Sequence, residues 1–203
     1  MIFGKRYMFE GVEVCQYPFE HMGISQGYNM RPSHMGRLAI DETGRGLGRC
    51  RAGAPFTLEI TWKKKSGSQT GITFTNLYYV LCADGNIYAP RTLHVLFWHD
   101  NDTSDIFVGR IITQGTPFYD EGTADNATGD HIHMMVGVGK IEPDEYPLEF
   151  VPMYGTWGLK HAVLPHMIFF INDVIVRNDQ GYSWKKFDEL QPLLPVTSLV
   201  KVI

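Results

Sequence analysis

Apolar residues in the middle of the chain recur in short runs rather than at helical spacing. Residues 56–63, 71–83 and 88–98 are rich in Thr, Ile, Phe, Tyr and Val, and runs of this length and composition predict strands. Between them lie Lys-Ser-Gly-Ser and Ala-Asp-Gly-Asn, the second at 83–86, which are turn and hairpin chemistry. Upstream, 1–33 holds shorter β-prone pieces such as 11–17, interrupted by Pro18, Gly23, Gly27 and Pro32, with no helix of useful length. Downstream, 107–119 resumes strand character around a break at Gly115, and a polar loop at 120–130 leads into the β-prone stretch 126–138. After it, 141–152 is acidic and Pro-rich, 167–176 is apolar enough for a last strand, and 187–194 predicts a short helix ended by Pro195. Regular alternation of strands and turns predicts a mostly β fold: one antiparallel β-sheet domain with long loops and little helix. The expected domain spans 1–186, with a C-terminal tail at 187–203, and neither an internal repeat nor a low-complexity tract interrupts it.

Composition narrows the functional classes. A chain of 203 residues with 44% hydrophobic residues can bury a full core without disulfides or a structural metal. A net charge of −4 and a single basic run, Lys63 to Lys65, argue against nucleic acid as a partner. That run precedes Ser-Gly-Ser and reads as a solvated hairpin tip. Three widely spaced cysteines, Cys15, Cys50 and Cys82, do not form the framework of a secreted mini-protein. Lys5 and Arg6 are not followed by the apolar run of a signal peptide, and no stretch approaches the ~20 apolar residues of a membrane span. The chain is therefore expected to be made in the cytoplasm, without membrane insertion. Its oligomeric state cannot be read from the sequence.

The candidate chemistry centres on Asn-Ala-Thr-Gly-Asp-His-Ile-His at 126–133. Two imidazoles one residue apart share a face of an extended strand, so His131 and His133 can flank one site, one binding a metal and the other standing beside it. Further candidate ligands sit at turns or strand ends: His34 and Asp41 in Ser-His-Met-Gly-Arg-Leu-Ala-Ile-Asp, and His99 in Trp-His-Asp-Asn-Asp. Two neutral imidazoles and one carboxylate suit zinc, bound at about 2.0–2.2 Å with a fourth tetrahedral position left open for water. His21, His94, His161 and His166 have no motif around them and read as surface or half-buried residues. Two other look-alikes fail. The glycines at 44–48 lack the Gly-Lys-Ser/Thr of a phosphate loop. The acidic run at 100–105 places Asp105 where a calcium loop requires glycine, and Ile111 where it requires glutamate.

Taken together, these motifs resemble the lysostaphin/LytM-type zinc endopeptidases, which cut peptide bonds in bacterial peptidoglycan. That family's pattern is a His followed by a nearby Asp, a lone His at the end of a later strand, and a final His-x-His. The wording His-Asp-Asn-Asp, Glu-Gly-Thr-Ala, Asn-Ala-Thr-Gly and Trp-Gly-Leu-Lys-His is similar in particular to the peptidase domains of bacteriophage endolysins, and the likeness runs over roughly 22–185. The resemblance implies a groove in which His34, Asp41 and His133 hold Zn2+ while His99 and His131 flank the reacting carbonyl. It also implies that the partners are bacterial peptidoglycan peptides and that the protein acts on the wall after release. The spacing departs from the family's: His34 and Asp41 are seven apart instead of four, an odd separation that in one strand points them to opposite faces. A bulge or loop around Gly36 must therefore intervene, with Glu42 as the competing carboxylate. Two other readings stay open. One is a non-catalytic wall-binding or phage structural module on the same fold. The other is a cupin-type metal enzyme, although the glutamate expected soon after His133 is missing from Met-Met-Val-Gly-Val.

Overall fold

A computed structural model describes residues 1–9, 11–27, 33–44, 48–64, 72–76, 80–81, 92–143, 145–163, 175–177 and 201–202. Among them every regular element is a strand. In chain order these are β1 (Tyr7–Phe9), β2 (Val12–Val14), β3 (His21–Gln26), β4 (Ala39–Thr43), β5 (Arg51–Gly53), β6 (Leu58–Lys63), β7 (Ile72–Asn76), β8 (Val80–Leu81) and β9 (Leu93–Trp98). They continue with β10 (Ile111–Ile112), β11 (Pro117–Asp120), β12 (Ile132–Val138), β13 (Leu148–Val151), β14 (Thr156–Leu159), β15 (Ala162–Val163), β16 (Ile175–Arg177) and β17 (Lys201–Val202). The fold is mostly β, as its sequence pattern predicts. No described helix is long and apolar enough to cross a membrane. The helix expected at 187–194 and the hairpin signal at 83–86 lie outside the described residues.

One large sheet runs in the order β10-β6-β7-β9-β12-β4-β3-β16, with β15 pairing the far end of β12. Its pairs are antiparallel except β3 with β16. A smaller sheet joins β17, β1, β2 and β8; two further two-stranded pairs are the long-range pair β5 with β11 and the hairpin β13 with β14. The apolar run at 71–83 is thus divided between two sheets, and the run at 107–119 becomes β10 and β11 in separate sheets. Strand propensity is local, whereas sheet membership depends on long-range pairing.

The period-2 alternation of the central strands sorts two faces. On one, Ile40, Ile60, Val95, Phe97, Ile132, Met134 and Val136 join the main core together with Tyr17, Phe19, Phe56 and Tyr119. On the other, Ala39, Leu96 and Met135 pack with Leu148 and Leu159 of the β13–β14 hairpin. One pleat along each strand on this second face lie Asp41, Trp98 and His133.

Several polar groups expected at the surface are instead used in the fold. Lys63 Nζ donates to the carbonyls of Thr103 (2.6 Å) and Ile106 (2.7 Å), and Lys64 pairs with Asp125 at 2.7 Å. Lys63 thus ties β6 to the loop beside it, which corrects its reading as solvated, whereas the Lys64–Asp125 pair is exposed as that reading expects. His94 is fully buried rather than half-buried, with its two ring nitrogens 2.9 Å from the carbonyls of Gly139 and Lys160. Asp100 and Asp102 accept backbone N–H bonds from Asp102, Asp120 and Ser104, so the acidic run builds turns. The end of β4 is clamped by Glu121, whose carboxylate accepts from the amides of Gly44 and Cys50 at 3.0 Å and from the Thr43 hydroxyl at 3.3 Å. Glu121→Ala should therefore lower stability by about 2–3 kcal/mol, because part-buried amides lose a charged acceptor. Urea unfolding checks this, and an unchanged midpoint would remove the clamp from the account.

Candidate metal centre

Strand register assembles the centre. On β12, His133 lies directly across from Asp41 of β4 on one side and from Trp98 of β9 on the other. All three side chains therefore project from one face of the sheet. His34 comes from the loop before β4. The backbone folds back there, with Arg37 N–H donating to the His34 carbonyl at 2.8 Å. Gly36 sits in this turn at φ +75°, where a Cβ would run into the Tyr154 ring. The turn supplies the irregularity that the seven-residue spacing demands, and it returns His34 to the side of the sheet that carries Asp41. Glu42 points to the opposite face, where it is fully buried and accepts a 2.8 Å bond from the Tyr17 hydroxyl.

Three donor atoms converge: His34 Nε2 lies 3.1 Å from Asp41 Oδ1 and 3.2 Å from His133 Nδ1, and His133 Nδ1 lies 2.8 Å from Asp41 Oδ1. Ligands bound tetrahedrally to zinc at about 2.0–2.1 Å stand about 3.3–3.4 Å apart, so only a small expansion is needed to admit the ion. The protons support the same fit. The tautomer that suits an ion has His34 Nδ1–H donating to the Gly27 carbonyl, 2.9 Å away, which leaves the Nε2 lone pair available to a metal. The His133 ring stacks on Trp98 with centroids 5.0 Å apart and planes 16° from parallel. Its Nε2 has no hydrogen-bond partner among the described residues.

His131 and His99 stand beside this cluster, their rings 4.5 Å apart. His131 precedes β12 and is held by an isolated bridge to Gly122. Its Nδ1 is 2.7 Å from the Gly129 carbonyl, and its Nε2 lies 3.6 Å from Asp41 Oδ1. His99 follows β9 at φ 90°, an unusual conformation for a non-glycine residue. Simple alternation would send it to the core with Phe97, but here the chain leaves the strand and His99 lines the groove. Its Nδ1 approaches the Ala124 carbonyl at 2.8 Å, and the Ala124 amide bonds back to the His99 carbonyl at 3.1 Å. In both residues Nδ1–H can donate to a carbonyl, which leaves Nε2 as the acceptor.

Electrostatics separate the groups. Burial opposes ionisation of Asp41, but hydrogen bonds from His133 and His34 outweigh it and hold the carboxyl well below its usual range. Burial pushes His133 down to about 4, against the opposing pull of Asp41. Burial also lowers His99, although its bond to Ala124 resists. Glu42 is raised well above the usual carboxyl range, chiefly by burial. Two adjacent carboxyls are therefore pushed in opposite directions, Asp41 toward its ionised form in the cluster and Glu42 toward its protonated form in the core.

The cluster opens into a groove of about 710 Å³. Trp62, Trp98, Tyr146 and Trp157 form aromatic walls, and Arg37 enters from the side. Sequence reasoning missed these wall residues. The density of aromatic residues at 146–157 and the Trp directly before His99 were the available signals.

No family model matches the chain. Its sequence is 29% identical over 179 residues to Morphogenesis protein 1 of Bacillus phage B103, covering 88% of this chain and 46% of that protein. The chain thus spans a little under half the length of this curated relative. Among solved structures it is similar to the catalytic domain of lysostaphin from Staphylococcus simulans, with 15% identity, 64% of this chain and 83% of that chain covered, and a TM-score of 0.40. It is also similar to the catalytic domain of the prophage-encoded protein EnpA from Enterococcus faecalis, with 18% identity, coverages of 62% and 91%, and a TM-score of 0.40. A zinc-containing peptidase from Vibrio cholerae gives 13% identity, coverages of 64% and 41%, and a TM-score of 0.41.

Two outcomes follow from this geometry. Gly36→Ala should weaken metal retention, because a left-handed alanine costs roughly 1–2 kcal/mol and the new methyl group displaces the turn that carries His34. Undiminished metal content after dialysis would count against that. In the metal-free chain, His133 has a folded pKa of about 4 against an ordinary 6.5. The unfolded chain therefore takes up its proton first. The resulting stabilisation is complete above pH 6.5 and is lost as pH falls toward 4, amounting to about 3 kcal/mol. His133→Asn should flatten this part of the stability–pH curve, and parallel curves for the two proteins would contradict it.

Proposed function

We propose that the protein is a zinc-dependent endopeptidase that hydrolyses peptide bonds in peptidoglycan stem or cross-bridge peptides, acting on the cell wall after release from the cytoplasm. The observation that carries this reading is the meeting of His34 Nε2, Asp41 Oδ1 and His133 Nδ1 at the base of an open groove. Two further imidazoles stand beside them with Nε2 directed away from their carbonyl bonds.

His34, Asp41 and His133 would hold the ion. When bound, zinc supplies Lewis acidity toward a water and a peptide carbonyl. His99 and His131 divide the remaining work. One takes the proton of the attacking water on Nε2 and returns it to the leaving amine, and the other, in its doubly protonated form, donates Nε2–H to the carbonyl oxygen as its charge grows. The lowered pKa of His99 keeps its Nε2 unprotonated at neutral pH, which suits the proton acceptor. Aromatic walls on the groove exclude water and give an extended peptide surface to lie against.

A second reading, a non-catalytic phage structural module, draws on the name of the phage relative, which denotes morphogenesis. The cupin reading needs both imidazoles of the His-x-His pair on the metal, whereas only His133 belongs to the cluster.

The expected outcome is about one zinc per chain, lost on His34→Ala, Asp41→Ala or His133→Ala and retained on Glu42→Ala, measured by elemental analysis. His99→Ala and His131→Ala should keep the metal and lose roughly 10²–10⁴ in rate, measured by mass analysis of fragments from purified walls. Full wall cleavage by a verified metal-free sample would refute the reading. Metal binding with intact wall peptides would favour the structural module.

A further inference from the structure

The groove holds one cation that the proposed chemistry does not use. Arg37 lies three residues after His34 and is half-buried, and its Nε donates to Thr156 Oγ1 of β14 at 2.9 Å. Its two terminal nitrogens make no hydrogen bond among the described residues. Other described arginine side chains have carboxylates: Arg6 with Glu13, Arg49 and Arg51 with Asp120, and Arg110 with Asp105. The other cation of the groove, Lys64, is paired with Asp125. Arg37 is therefore the one described arginine side chain without an acidic partner, although burial penalises its charge and only Asp41 offsets this at longer range. A guanidinium anchored through Nε keeps a two-pronged edge for a planar anion, the geometry that a carboxylate fills.

We propose that Arg37 is the substrate's carboxylate anchor and that the groove selects an acidic stem peptide over a neutral, glycine-type cross-bridge. This rests on the peptidase reading and narrows it. The Thr156 bond fixes the guanidinium on the β13–β14 side of the groove, and the turn at Gly36 ties the same residue to the metal-binding His34. The carboxylate and the scissile bond are thus held by one rigid turn. A neutral bridge peptide would leave the guanidinium partly desolvated and unpaired, which disfavours that substrate.

The test compares a synthetic stem tetrapeptide with free carboxylates, the same peptide with those groups amidated, and pentaglycine. Binding to the intact chain is read from quenching of the groove tryptophans, with and without zinc, and cleavage is read separately as KM and kcat. For the native chain, amidation should weaken binding roughly ten- to hundredfold and raise KM with little change in kcat, and pentaglycine should bind no better than the amide. Arg37→Gln should bind acid and amide alike, Arg37→Lys should recover part of the preference, and Thr156→Val should reduce it by loosening the anchor. Equal binding of acid and amide by the native chain, tighter binding of pentaglycine, or binding of none of the three overturns the inference without any variant. A preference that survives Arg37→Gln does so too. Acid-selective binding without cleavage would uphold Arg37 and sink the peptidase reading. Cleavage without acid preference would do the reverse.

Discussion

The centre depends on the register of β12 between β4 and β9. That register places Trp98, His133 and Asp41 in one row across the sheet, with Leu96, Met135 and Ala39 in the next row on the same face. The intervening row, Phe97, Met134 and Ile40, faces the main core. A slip of one residue would drive His133 into that core and bring Met134 out beside Asp41. The apolar rows on both faces resist such a slip, since it would expose one set and bury the other wrongly. The position of the candidate ligands is therefore secured by methionine, leucine and phenylalanine side chains outside the cluster.

Burying these polar groups is unfavourable unless they answer one another. Asp41 offers one oxygen to two imidazoles, and its ionised form is held by their hydrogen bonds against the effect of burial. One residue on, the pleat carries Glu42 away to the opposite face, where burial favours its protonated form against the opposing pull of the Tyr17 hydroxyl. The same strand thus pushes two neighbouring carboxyls toward opposite protonation states, separated by the alternation of a β-strand rather than by any difference in chemistry.

The β13–β14 hairpin links the cluster to the groove. Its Leu148 and Leu159 pack on the site-bearing face, Tyr154 closes over Gly36, and Thr156 accepts a bond from Arg37. Trp157 and Tyr146 then continue outward as an aromatic wall, their rings 6.1 Å apart. A single turn of chain, 34–37, therefore contributes His34 to the cluster and Arg37 to the groove while resting against one hairpin. This coupling explains why the turn needs a glycine where it does.

Strand content was legible because β-prone runs and turn residues alternate along the chain: 56–63 yields β6, 88–98 yields β9 and 126–138 yields β12. The five polar candidates were legible as well, because His and Asp stand out beside glycine-bearing turns. The division of 71–83 and 107–119 between sheets was not legible, since propensity acts over a few residues while pairing closes loops of many. The choice of Asp41 over Glu42 for the cluster needed the observed register, because both carboxyls stand equally near His34 in sequence. His99 needed the turn at φ 90°, which no alternation rule anticipates, and Arg37 became conspicuous only once the other described arginines and Lys64 were found paired. Local sequence determined which groups could do chemistry, and the tertiary structure decided which of them meet, because distance through space is set by pairing and packing far along the chain.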